Sequence, residues 1–189
     1  MNKTFGKLLK MKDTSELMVD LSYSALLFND KEIAEEVYNL EKYIDALYQK
    51  IVRFALTSMA KENLEMAMFL IRLSTSIEAI ADCAMEIADV VLRDIEPHPV
   101  VKMSIEDSDS AIFKVKIKPD SLFCDKTIGS VGVAAEIGMW IVAIRRDRKW
   151  KFGPNENTVM RDGDILIARG PPAGKKKFKK MAKGKIREL

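Results

Sequence analysis

The segment IEAIADCAMEIADVVL, Ile77–Leu92, decides how the first half of the chain is read. Its acids, Glu78, Asp82, Glu86 and Asp89, recur at steps of four, four and three. At about 100° per residue those steps place all of them on one stripe of a helix. Ile77, Ala81, Ala84, Ala88 and Val91 form a second stripe beside it. An acidic rail thus runs along the shoulder of an apolar face, either as ordinary amphipathic solvation or as a binding surface.

The same periodicity extends outward. Residues 1–96 hold one glycine, Gly6, and no proline, so helices are expected nearly throughout. The spacing predicts a first helix over about 13–28. A second, about 30–58, carries Ile33, Val37, Leu40, Ile44, Leu47, Ile51 and Phe54 on one face, with Asn29 or Asp30 as its cap. A third starts at an Asn63 cap and runs to about Ile95, which is about 48 Å at 1.5 Å per residue. Long helices with short connections make an antiparallel up-down bundle. Three wide apolar faces exceed what one such bundle buries, so a partner chain is expected.

The acid pairing recurs in that bundle. EKYID gives Glu41 and Asp45, EAIAD gives Glu78 and Asp82, and ELMVD gives Glu16 and Asp20 on a less clear flank. Facing carboxylate pairs collect oxygen-loving cations, although E-x-x-x-D is common in any charged helix. The order of a short helix, N-D, a long helix with E-x-x-x-D, and a long helix ending E-x-x-A-D-x-A-x-x-I-A resembles the PhoU family. The matching positions are Glu78, Ala81, Asp82, Ala84, Ile87 and Ala88, with Glu41 and Asp45 earlier. The resemblance implies three-helix repeats whose E/D-x-x-x-D motifs bind metal clusters. Glu41, Asp45, Glu78 and Asp82 are therefore the candidate ligands, for iron, zinc, manganese or magnesium. This chain has one repeat where full-length members carry two, and Ala79 where the motif has arginine.

The charge balance separates the halves. Residues 1–97 hold 11 Lys/Arg against 17 Asp/Glu, a net of −6, whereas residues 98–189 hold 20 against 11, a net of +9. EPHPV marks the change, since Pro97 and Pro99 stop a helix and stiffen the link. The division expected is 1–96 helical, 97–109 linker and 110–189 a second domain with a basic C-terminal tail. A hydrophobic fraction of 48% with 31% charged residues suits a globular chain. No apolar run of spanning length occurs, and the N-terminus does not read as a signal peptide. Cys83 and Cys124 are expected to be reduced and buried in a cytoplasmic protein.

From Ser110 the rhythm changes to two. AIFKVKIK alternates Ile112, Val115 and Ile117 with polar positions, as a half-buried strand does. PDSLFCDKTIGSVGVAAEIG reads as turns and a helix ended by Gly138. MWIVAIRRDRKW is an apolar strand, Met139 to Ile144, entering a basic hairpin. FGPNENTVMRDGDILIARG is a turn, a short strand, a tight Asp162–Gly163 turn and a final strand, Ile165 to Arg169. The overall class is α+β.

This half resembles the RCK-C, or TrkA-C, regulatory domain of potassium channels and transporters. The resemblance runs through Ser121, Leu122, Lys126, Thr127 and Ile128, through Gly138 and Ile141–Ile144, and through Arg146, Pro154, Thr158, Gly163, Asp164, Leu166 and Gly170. Gly163 supplies a turn, and Asp164 closes it with its own carboxylate. The resemblance implies pairing about a two-fold axis and a small regulatory ligand near that axis, in some members cyclic di-adenosine monophosphate. Met139 and Ile141 offer aliphatic wall there, Arg145 and Arg146 charge, and Pro154 the return turn. No G-x-G-x-x-G follows a strand, so the usual nucleotide-binding Rossmann partner is replaced by the helical half.

Other motifs carry less. His98 is the sole histidine and sits on the linker; GSVG, Gly129–Gly132, lacks the lysine and hydroxyl of a phosphate loop and reads as helix packing. No nucleophile–base pair is visible, and no enzyme is expected. Residues 169–189 hold nine Lys/Arg and one Glu, a solvated last helix or a mobile tail that meets phosphates, with Phe178 available to a lipid interface. Nucleic acid is not expected as a partner. The expectation is a homodimeric, cytoplasmic regulatory subunit for potassium or other cation transport. It would be held at the inner face of the membrane only through a channel or transporter. The alternative is a metal-binding adaptor in phosphate-uptake signalling.

Overall fold

The structure is a computed structural model that describes residues 2–106 and 108–186; residues 187–189, the end of the expected tail, lie outside them. The chain divides into two compact units, Met1–Pro97 and His98–Leu189, and its class is α+β.

The first unit contains α1 (Asn2–Phe28), α2 (Lys31–Phe54), a π-helical segment (Ala55–Met59), α3 (Ala60–Glu62) and α4 (Leu64–Leu92). Helix α4 buries Ile77, Ala81, Ala84, Ala88 and Val91, the apolar stripe read from the sequence. Asp30 caps α2 by accepting from the Ile33 amide, and Asn63 caps α4 by accepting from the Met66 amide at 2.9 Å. Between α1 and α2 the chain reverses through Asn29 at φ 48°.

The π-helical segment has a packing cause. Leu47, Ile51, Ala55 and Met59 are buried at four-residue steps, and each such step overshoots a 3.6-residue turn by about 40°. The wider π turn absorbs that drift and keeps Ala55 and Met59 on the core side.

Helix α1 begins at Asn2, well before the expected start near residue 13. Its buried face mixes Met11, Met18, Leu21 and Ala25 with Thr4, Ser15, Ser22 and Ser24. The three serine hydroxyls donate to the carbonyls of Lys12, Val19 and Asp20 in their own helix. Small hydroxyl residues satisfied this way form a core face that an apolar periodicity does not reveal.

The second unit contains α5 (Pro99–Glu106), β1 (Ala111–Lys116), α6 (Ile128–Val131), α7 (Val133–Ile137), β2 (Trp140–Arg146), β3 (Lys149–Phe152), β4 (Ile165–Gly170) and α8 (Pro172–Ala182). Pro99 opens α5 inside the expected linker, where its missing N–H costs nothing. The four strands are antiparallel in the order β1-β4-β2-β3, with a bulge at Ile141/Ala143. The hairpin between β2 and β3 turns on Asp147 and Arg148, both at positive φ, as its two-residue loop requires. The expected strand before Gly163 is a single bridge, Thr127 to Val159.

One sheet face, with Phe113, Val115, Ile141, Ile144, Leu166 and Ala168, joins Phe178, Met181 and Ala182 in one core cluster. Phe178 is fully buried, 4.9 Å from the Phe123 ring and 5.6 Å from that of Phe113. Of the two readings of residues 169–189, the last helix is the one observed, and the lipid contact of Phe178 falls away because α8 buries Gly174, Phe178, Met181 and Ala182 on one side. Among the described residues, no helix is long and apolar enough to cross a membrane.

Both tryptophans, Trp140 and Trp150, lie in this second unit, so their fluorescence follows its unfolding alone. Phe178→Ala should lower its stability by about 3–5 kcal/mol, seen as an earlier tryptophan transition in guanidinium. The far-UV circular dichroism transition of the helical unit should stay in place.

Candidate functional site

In the helical unit, α2 and α4 carry the expected acids as half-buried side chains: Glu41 and Asp45 on one helix, Glu78 and Asp82 on the other. They share one electrostatic neighbourhood. Burial raises the Glu41 carboxyl above its ordinary value, and the Asp45 charge, a hydrogen bond with Asp45 and the Asp82 charge raise it further. Glu78 is raised by burial, then by Asp82 and Asp45. Hard oxygen donors in such a neighbourhood fit a cation chemically. Their spacing does not complete a chelate: among the described residues no group of three or more His, Cys, Asp or Glu side chains stands close enough to hold one ion. No metal-dependent step is therefore assigned. Glu16 of the third acid pair is bound at 2.9 Å to Lys12 on its own helix.

The cysteines are free, and Cys83 is exposed, not buried as expected. It lies on neither the core stripe nor the acidic one.

In the second unit, the expected ligand residues separate into three places. Met139, Ile141 and Pro154 line one groove of about 450 Å3, together with Trp140, Asn155 and Glu156. That volume lies in the range of small-molecule sites. Gly129 forms part of its wall, where a Cβ would stand 3.0 Å from the Glu156 side chain. Close packing thus accounts for Gly129 of GSVG, whereas Gly132, where a Cβ would stand 4.0 Å from the Glu136 side chain, ends α6 at φ 65°.

Arg146 lines a second groove, of about 210 Å3, beside Lys149 and Lys151. Its guanidinium donates to both oxygens of Asp164, at 2.8 and 2.7 Å, and to the Val159 carbonyl at 2.8 Å. Asp164 is 1% exposed and also accepts from the Arg161 amide at 2.8 Å, closing the turn as expected. Arg146 is therefore fixed first as the counter-ion of a buried acid.

Arg145 occupies neither groove. Neighbours on a strand face opposite sides, and its guanidinium lies 5.4 Å from the Trp150 ring, its cross-strand partner. In sequence, Arg145, Arg146, Arg148 and Lys149 form one basic spot expected to face an anionic ligand, and Lys151 is not singled out. Register resolves it, since Arg146 pairs with Lys149 and Ile144 with Lys151. The 153–159 segment runs between the two grooves, lending Pro154 and Asn155 to one and Asn157 and Thr158 to the other. Asn155 stiffens it by accepting from the Asn157 amide and the Thr158 hydroxyl, both at 3.1 Å.

With these features in place, the family model of the PhoU domain matches residues 8–91 and that of the TrkA-C domain residues 112–183. No curated protein matches the chain. Among solved structures, the RCK_C domain dimer of S. agalactiae BusR in complex with c-di-AMP is 26% identical, covering 39% of this chain and 91% of that one with a TM-score of 0.36. The RCK C domain of the potassium transport protein KtrA, in complex with cyclic diadenosine monophosphate, is also 26% identical, covering 43% and 92% with a TM-score of 0.36. The chain is a PhoU domain followed in sequence by a TrkA-C domain.

Proposed function

We propose that this protein is a non-enzymatic, cytoplasmic regulator of cation transport, of the potassium type, whose TrkA-C domain senses a small anionic ligand. The observation that carries the reading is the pair of grooves on either side of segment 153–159. One offers aliphatic and aromatic wall for a base, the other the charge of Lys149 and Lys151 for a phosphate. A nucleotide, with one flat apolar end and one anionic end, needs that mixture. Arg146 positions the segment through Val159, and Arg145 takes no part. The regulated partner in this reading is a membrane channel or transporter.

Calorimetry on the full chain with cyclic di-AMP, AMP, ATP and NAD tests it. One of them should bind, at one ligand per two chains if the site lies on a two-fold axis. Lys149→Ala with Lys151→Ala should weaken that binding at least tenfold, and Arg145→Ala should leave it within about twofold. Absence of binding by the whole panel removes the sensor reading.

A second reading, a metal-binding adaptor in phosphate-uptake signalling, rests on the shared neighbourhood of Glu41, Asp45, Glu78 and Asp82. In the metal-free protein the sign of the pH effect follows from the raised Glu41 and Glu78. Protonation favours the folded state, so their contribution is full below the ordinary glutamate value and is lost as pH rises through the raised folded values. Asp82→Asn removes one charge from the cluster. It should raise the melting temperature of the helical unit at pH 7 by about 1–4 °C, from about 0.2–0.5 kcal/mol of relieved repulsion. Under the metal reading, magnesium, manganese, zinc or iron raises the melting temperature of the parent protein and loses that effect in Asp82→Asn. Equal response of the two proteins to every metal rejects it.

A further inference from the structure

Helix α4 carries a third stripe, one residue ahead of its buried one, that neither reading uses. Met66, Phe69 and Leu73 are 43%, 56% and 36% exposed. The same line continues through exposed Ser76 to Ile80, Cys83 and Ile87. Its steps alternate three and four residues throughout, which is heptad spacing, the pattern of a helix that packs against another helix. Six of the seven positions are exposed and the last is half-buried.

The two halves of this stripe differ in shape. The first half is bulky and projects Phe69. The second half borders a trough of about 330 Å3 between α1 and α4, walled by Val19 and Tyr23 on one side and Ala79, Ile80, Cys83 and Ile87 on the other. Ala79 and Cys83 are small, which opens the trough to a ring.

Bulk and trough are placed symmetrically. Phe69 and Cys83 each stand seven residues from Ser76, and Leu73 and Ile80 three and four. A two-fold axis crossing α4 at Ser76, with the two α4 helices antiparallel, brings each Phe69 to the trough of the other copy. Such an interface is isologous and closes on itself, and the small Ser76 lets the helix axes approach at the centre. The face is about 32 Å long from Met66 to Ile87 and two helices, about 20 Å, wide. That is about 640 Å2 per copy and about 1,300 Å2 in all, within the range of stable interfaces.

We propose that the α1–α4 face is a homodimer interface, with antiparallel α4 helices crossing at Ser76 and Phe69 of each copy seated between α1 and α4 of the other. The occupant is a second copy of this chain, because the surface complements itself about one residue.

Two variants of the full chain test this. Under mild oxidation Ser76→Cys should form a covalent dimer on a non-reducing gel. The parent protein should not, since antiparallel pairing keeps the two Cys83 thiols about 21 Å apart along the axis. Phe69→Asp should halve the assembly mass in sedimentation at micromolar concentration, while circular dichroism stays unchanged because Phe69 is exposed. A monomeric parent protein overturns the proposal. So does an assembly that Phe69→Asp leaves intact and the Ser76→Cys thiol fails to link, which places any dimer elsewhere or another protein on this face. Linkage of the parent protein through Cys83 overturns the antiparallel arrangement.

Discussion

Helix α4 has one 3.6-residue period with which to serve three surfaces, and that constraint shapes the helical unit. Ile77, Ala81, Ala84 and Ala88 face the bundle. One residue later, Glu78 and Asp82 turn towards α2 and its acids. One residue earlier, Ser76, Ile80, Cys83 and Ile87 meet solvent. A rotation of about 100° separates each stripe from the next, and Met68, Arg72, Ala79 and Glu86 lie exposed on the side that remains. Alanine dominates the buried stripe because α1 and α2 both pack on α4, and small side chains let neighbouring helices approach closely.

In the second unit the comparable fixed point is Asp164. A carboxyl group that is 1% exposed needs strong partners in place of water, and it takes a bidentate arginine and a main-chain amide. Arg146 carries the constraint onward to the Val159 carbonyl. One buried acid thereby ties β2, the start of β4 and the segment that divides the two grooves. Loss of Arg146 leaves a buried carboxylate without its counter-ion, whereas Arg146, whose side chain is 35% exposed, still reaches water. The groove geometry is therefore set by an interaction outside the apolar groove.

Much of this was legible in the sequence because it rests on spacing. The caps at Asp30 and Asn63, the buried stripe of α4, the turn at Gly163–Asp164 and the α+β division all follow from local periodicity and turn chemistry. The electrostatic neighbourhood shared by Glu41, Asp45, Glu78 and Asp82 agrees with the placing of each pair on the same flank of its helix. What spacing did not carry was side-chain commitment in three dimensions. Arg145 and Arg146 are adjacent letters that a strand sends to opposite faces, and only the pairing of β2 with β3 brings Lys149 and Lys151 beside Arg146. The start of α1 was hidden because, before residue 13, only Thr4 and Met11 are buried among the described side chains while Phe5 and Leu9 are exposed, so no apolar stripe marks it. Cys83 was assigned to the core by residue type, when its place on the helix puts it one stripe away.

The C-terminal lysines show why charge content and structural role have to be argued separately. Helix α8 holds five lysines, and by composition it reads as a basic arm. Yet Gly174, Phe178, Met181 and Ala182 recur at steps of four, three and one, a single face, and Lys175 and Lys179 lie over the Phe113 ring at 5.6 and 5.1 Å. Long lysine stems cover apolar surface while their charged ends stay near water. Gly174 shows how closely the helix docks: a Cβ there would stand 2.5 Å from the Ile137 carbonyl and 2.9 Å from the Met139 sulfur. Met139 lines the apolar groove, so α8 is packed directly behind that wall. Disturbing α8 therefore reaches the groove through Met139, even though no lysine of α8 lines it.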